Sequence, residues 1–307
     1  MRRGKILPAL APTAFLLACR TCAGFARVWQ AAVALPTLRT LHRLTSLADF
    51  PALELLAAGL AALALSALVA RRTRRMAALL AAVLAGYALL WYPAYWAAPA
   101  RQLPAPEAAR LERICADLIN RLNREPFPLL SAQEAAARAG GVAGLPRARA
   151  KLARWPGWMR ALHISGLFSP WTGEAIVDPG APPALVPFTA VHELMHLTGI
   201  ADEGSANIAA YRRCVSAGGA FAASARLWAL KYALSLLHRL DPAACLRVME
   251  RVDGDLAALC RPAARAPSPL DGLCAALGIG EAASSYDALA AWLAAQPAGA
   301  SIPEKVL

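Results

Sequence analysis

Two of the five histidines in this chain stand four residues apart, with a glutamate directly after the first: His192, Glu193 and His196, in the run VHELMH. Residues four apart on a helix share one face, so both imidazoles can reach a single metal ion. Glu193 then lies beside that ion, where a carboxylate can take a proton from an activated water and return it to a leaving amine. The pattern H-E-x-x-H on a helix is the zinc-hydrolase signature, and Zn2+ is the expected cofactor. With five His and 11 Glu in 307 residues, chance places it roughly 0.3% of the time. A helix carrying one buried and one exposed histidine is the bland alternative.

Three protein ligands leave a coordination position open for chemistry, and two neighbours compete for the third place. Asp202 lies six residues after His196, a spacing that resembles metzincins with aspartate in place of their third histidine. Glu203 opens E-x-x-A-N, which resembles the second-helix glutamate of the glutamate-type zincins. Asp is a preferred N-cap, and a new helix must begin near residue 202. That job would occupy Asp202 and favours Glu203. Asn207, four residues on from Glu203, shares its face and is a candidate to support a ligand from behind. Glu174 stands in a stretch expected to carry the substrate strand, where it is either a substrate contact or a strand-end residue. His163 and His238 are further histidines without a motif.

The elements that position these groups can be read from breaks and periodicity. Pro187 to Leu197 reads as a helix stopped by Gly199. Ser131 with Glu134 is a capping box opening a helix near Ala135. Pro106 to Leu122, Ser205 to Ala217, Phe221 to Arg239, Pro242 to Cys260 and Ser284 to Ala295 all read as helices. Leu145 to Trp155 reads as a basic helix. Ala161 to Val177 reads as extended, broken at Gly166, Pro170 and Gly173. The expected class is mainly α (α+β), with a small strand region before the H-E-x-x-H helix.

Hydrophobic residues make up 58% of the chain and charged ones 17%, against about a quarter charged in a soluble domain. The excess is concentrated in the first hundred residues. Met76 to Ala98 is uncharged and ends in Trp and Tyr, as a membrane span does. Phe50 to Ala70 is a second candidate, and residues 5–25 a third. Residues 1–99 are therefore expected to be an anchor with three spans, and 100–307 a hydrolase domain. Arg71 to Arg75, RRTRR, is a short basic loop that the positive-inside rule retains in the cytoplasm. Three spans then put the domain outside a bacterial inner membrane, although Arg20, Arg27, Arg39 and Arg43 in the first external connection weigh against it.

The formal charge of +12 is scattered, without a basic stripe interleaved with aromatics, so no nucleic-acid partner is expected. The expected partners are the bilayer and a peptide or protein substrate. Cys19 and Cys22 lie in an apolar stretch and read as packing residues. Cys245, Cys260 and Cys274 lie close enough in sequence for one disulfide if that region is exported.

Several segments together resemble a bacterial membrane-protein family known as a domain of unknown function (DUF 3810), regarded as zincin-like. They are FSPWTGEAIVD, Phe168 to Asp178, and PFTAVHELMHLTGIADEGSAN, Pro187 to Asn207. LTSLADFPALELL, Leu44 to Leu56, LLWYPAYW, Leu89 to Trp96, and SSYDALAAWL, Ser284 to Leu293, extend it over most of the chain. The resemblance implies a membrane anchor followed by an extracytoplasmic metallopeptidase-like domain, and no particular substrate. The family usually reads E-x-E-A-N where this chain has Ser205 at the second acidic position. If that carboxylate were a ligand this chain would be impaired; if Glu203 is the ligand it is intact. The rival expectation is a non-catalytic membrane protein that keeps the metal site for structure or peptide binding. Glu193 separates the two, since a structural zinc site takes four ligands and needs no base.

Overall fold

The computed structural model of the chain describes residues 7–98, 103–124, 128–260 and 282–297. Helix α1 (Leu7–Thr21) contains Pro12 and runs for 15 residues. At 1.5 Å per residue that is about 22 Å, short of the roughly 30 Å of a bilayer core. Residues 5 and 6 of the first predicted span lie outside the described residues. The chain then breaks at Cys22, whose Sγ accepts the Phe25 N–H and caps α2 (Ala23–Trp29). A π-helical turn, Gln30–Ala34, carries α2 into α3 (Leu35–Thr45).

Two helical segments are long and apolar enough to cross a membrane: α4 (Ala52–Val69), and Thr73–Ala97, which comprises α5 (Thr73–Leu90) and α6 (Tyr92–Ala97). Only 11% of each apolar window is buried within the structure. They form a hairpin with Arg71 to Arg75 at its turn. Its open end carries Pro51 on one side and the aromatic cluster Trp91, Tyr92, Tyr95 and Trp96 on the other.

The rest is helical around a small sheet. Helix α7 (Ala108–Arg124) has a strong apolar stripe, with Leu111, Cys115, Leu118, Ile119 and Leu122 all buried. The capping box forms as expected at α8 (Ala132–Val142): the Glu134 N–H donates to Ser131 Oγ at 3.2 Å, and the Ser131 N–H to the Glu134 carboxylate at 2.9 Å. Strand β1 (Ala150–Leu152) pairs parallel with β3 (Glu174–Val177), and β2 (Gly166–Ser169) pairs antiparallel with it, giving the order β1-β3-β2. The short helix α9 (Gly157–Ala161) joins β1 to β2.

The expected helix over Leu145 to Trp155 is therefore a turn and a strand. The basic side chains are drawn to partners far along the chain. Arg149 donates to the Ser46 and Ala48 carbonyls and pairs with Asp49 at 2.9 Å. Lys151 donates to the Thr45 and Phe50 carbonyls.

Helix α10 (Val186–His196) is buried at every residue, packed by α8, β2, β3, α11 (Glu203–Ala217) and α12 (Gly219–Leu240). The helix expected over Pro242 to Cys260 is two, α13 (Pro242–Met249) and α14 (Gly254–Cys260). The last, α15 (Ala282–Ala295), packs on α11 and α12. One core runs through all of this and takes in Leu38, Trp91 and Ala94 from the N-terminal hundred residues. Cys245 and Cys260 stand as free, buried thiols; Cys274 lies outside the described residues.

Candidate metal centre

Helix α10 puts His192 and His196 on one face, their rings 5.0 Å apart and nearly perpendicular. The helix stops where expected. Gly199 N–H donates to His196 O, and Gly199 takes φ +96°, a left-handed value that favours glycine. A Cβ there would also lie 2.5 Å from Leu35 Cδ1 and 2.6 Å from Gln30 Nε2, side-chain ends that would have to move aside. The next carbonyl, Ile200 O, lies 2.7 Å from His196 Nδ1. That bond puts the proton on Nδ1 and leaves Nε2 as the electron-pair donor.

Asp202 caps α11, its Oδ2 accepting the Ser205 N–H at 2.6 Å. Glu203 follows in the first turn and turns back toward α10. Its Oε2 is 3.0 Å from His192 Nε2 and its Oε1 is 3.5 Å from His196 Nε2. Two ligands of a tetrahedral zinc with bonds of roughly 2.0–2.1 Å stand about 3.3 Å apart. The two observed separations bracket that figure. His192, Glu193 and His196 also offer ligand atoms within 4.8 Å of one another. Both Nε2 atoms converge on the Glu203 carboxylate, which stands at ligand spacing from each. The donor set, two imidazoles and a carboxylate, fits a divalent ion such as zinc.

Asn207 lies one turn beyond Glu203 and is buried. Neither its amide atoms nor His192 Nδ1 has a hydrogen-bond partner, yet Asn207 is close enough to favour the protonated imidazole. A cation on Nε2 would make Nδ1 a donor aimed at that amide, which accounts for the two orphaned groups.

His192, Glu193 and His196 are 8%, 6% and 3% exposed, whereas the Glu203 side chain is 42% exposed, so the site opens toward Glu203. Burial pushes the Glu193 carboxyl up to about 8; the His192 charge opposes this and the Glu203 charge adds to it. Burial also lowers His196. It pulls His192 the same way, but the bond and charge of Glu203, with Glu193 and Asn207, outweigh it and leave His192 raised.

Three contacts at the site have no motif. Gly166 of β2 lies under Glu193: a Cβ there would fall 2.4 Å from Oε1 and 2.6 Å from Thr189 Cγ2. The Trp91 ring meets the His196 ring at 5.6 Å and 70°. Phe168 fills the corner, 5.1 Å from Trp91 and 6.0 Å from His196. Gly166 was legible only as a break, Trp91 as the end of a span and, with Phe168, as part of the family segments, but none of them as a neighbour of the histidines.

Strand β2 is an edge strand of the sheet, as is β1 on the other side of β3. The Asp178 N–H donates to Ser165 O, so by antiparallel alternation Leu167 and Ser169 bond to β3. The backbone groups of Gly166 and Phe168 point away from β3, and Gly166 lies beside Glu193. Glu174 lies on the central strand and points elsewhere. Its carboxylate is 1% exposed, accepts the Ala52 and Leu53 N–H groups at 2.8 Å each, and pairs with Lys151 at 2.7 Å. That is the strand-end role, and it caps α4. His163 sits in the turn after α9 with φ +55°, and His238 is exposed in the last turn of α12.

Residues 33–260 match the model of a family described as a protein of unknown function, DUF3810. No curated protein and no solved structure matches the chain.

Proposed function

The chain belongs to this DUF3810 family, and we propose that it is a membrane-anchored, zinc-dependent metallopeptidase of zincin type. The observation that carries the reading is the convergence of His192 Nε2 and His196 Nε2 on the Glu203 carboxylate, with Glu193 adjoining the edge strand β2. His192, His196 and Glu203 would hold the ion. When bound, zinc supplies a water acidified toward neutrality and a Lewis acid for the substrate carbonyl.

The chain's own residues do the rest. The outward backbone groups of Gly166 and Phe168 take an extended peptide as an added strand, which sets its backbone across the face of α10. Glu193 accepts the proton of the attacking water on its carboxylate and passes it to the departing amine nitrogen. Its dry surroundings, which push it up to about 8 without metal, suit a group that must both take and give a proton near neutral pH. The Ile200 carbonyl holds the His196 ring by Nδ1, and Asn207 backs His192.

Helices α4 and α5–α6 are read as crossing the membrane. The basic turn Arg71 to Arg75 is then cytoplasmic and the metal centre lies at the opposite, external end of the hairpin. Both contacts from hairpin to site support that placement: Glu174 caps the start of α4, and Trp91, past the end of α5, touches His196.

The test is Glu193→Gln in the full chain. Zinc content should stay at one per chain while hydrolysis of a peptide library falls by about 10²- to 10⁴-fold. Wild-type cleavage by this variant would remove Glu193 as the base and the peptidase reading with it.

A further inference from the structure

The way β2 is set against the membrane hairpin bears on the substrate. The β2–β3 turn does not project into solvent. Trp171, at its tip, donates its Nε1–H to Val83 O of α5 at 3.1 Å, and its ring covers Gly86, where a Cβ would lie 3.0 Å away. Gly173 presses against α3 so closely that a Cβ would fall 2.5 Å from Leu38 O. Val83 is seven residues before Leu90, so the tip reaches about 10 Å below the end of α5 at 1.5 Å per residue. Gly166, at the other end of β2, touches Glu193. The edge strand therefore runs from the catalytic carboxylate down into the depth of the apolar hairpin. His196, meanwhile, sits against Trp91 in an aromatic cluster of the kind found at lipid–water boundaries.

We infer that the substrate is a polypeptide anchored in the same membrane, cut in the extended segment that leaves the bilayer, within about five residues of the lipid at roughly 3.3 Å per residue. A segment paired with β2 has one end at the metal centre and the other beside Trp171. A peptide already anchored in lipid meets that path in register. A free peptide must bring its end into the interface first. Phe25 and Val28 are exposed on α2, which packs against α6, and Leu47 and Phe50 are exposed just before α4.

This inference rests on the hydrolase and membrane readings above, and the experiment separates them. Full-length zinc-loaded protein is placed in phosphatidylethanolamine/phosphatidylglycerol vesicles. Three probes carry the same randomised decapeptide. In one it directly follows a single apolar span; in the second a Gly/Ser spacer of about 20 residues intervenes; the third has no span. Cut positions and rates are read by mass spectrometry against Glu193→Gln. Both anchored probes are equally concentrated on the vesicle, so their ratio reports position alone. The expected result is cutting at least about tenfold faster in the first probe than in the second, with sites clustered next to the span. Equal rates in the two anchored probes, or fastest cutting of the free peptide, overturns the inference and leaves the hydrolase intact. No Glu193-dependent cutting in any probe overturns the hydrolase reading and this inference with it.

Discussion

Gly166→Ala tests the catalytic arrangement without touching a ligand. The added methyl would sit 2.4 Å from Glu193 Oε1 and 2.9 Å from Glu193 Cγ. Ordinary heavy-atom contacts begin near 3.5 Å, so the carboxylate must retreat by about 1 Å. Thr189 Cγ2, 2.6 Å from the same methyl, blocks a simple shift of the strand. Overpacking of this kind costs about 1–3 kcal/mol of stability, which leaves the protein folded. A displacement of about 1 Å at a reacting group is worth on the order of 10²-fold in rate. His192, His196 and Glu203 are untouched, so zinc should bind as before. The assay is kcat/KM on any peptide that the wild type cuts, with zinc content and melting temperature measured alongside and Glu193→Gln as the floor. Activity within about threefold of wild type in a folded, zinc-loaded Gly166→Ala protein would refute the placement of the base over β2.

Further outcomes are expected at other positions. Glu203→Ala should lose zinc on dialysis, while Asp202→Ala keeps it and loses about 1 kcal/mol from its cap; the reverse pattern in metal analysis would move the third ligand to Asp202. Lys151→Met leaves Glu174 buried with an uncompensated charge and should cost about 3–5 kcal/mol, read as a lower melting temperature in detergent; no change would mean that the pair is not buried in solution. In the metal-free chain the Glu193 carboxyl is raised from 4.5 to about 8, so the native state holds a proton that the unfolded chain has released. Stability should fall as pH rises through that window, and less steeply in Glu193→Gln; equal slopes would remove Glu193 from the linkage. A reporter active only after export should work at the C-terminus and fail after residue 73, and the opposite pattern would invert the topology.

The parts of this molecule legible beforehand were those whose physics is local. Histidines four apart on a helix, a serine with its capping glutamate, and an aspartate that takes a helix N-terminus ahead of its neighbour all act within a turn or two of chain. That is why Asp202 could be placed at the cap of α11 from the sequence. Leu145 to Trp155 misled because its basic residues looked like a solvated helix face. Arg149 and Lys151 are instead held by carbonyls about a hundred residues earlier, and no local pattern announces such partners. Gly166 and Trp91 were hidden for the same reason. Each matters through what lies across from it, a carboxylate in one case and a ligand ring in the other.

The cap on α4 has a consequence for the order in which the chain is made. Ala52 and Leu53 donate to Glu174, 122 and 121 residues later in the sequence. At about 5–20 residues per second, a ribosome delivers that carboxylate roughly 6 to 24 s after the start of α4 has left it. On the membrane reading proposed above, a span that enters lipid on emerging waits with two of its first amide groups open until the sheet arrives to close them. Insertion and folding are ordered in time, and Glu174 with Lys151 marks the moment when the first becomes fixed by the second. Until then the hairpin can still tilt or slide. Afterwards the start of α4 is tied to the sheet that carries the site.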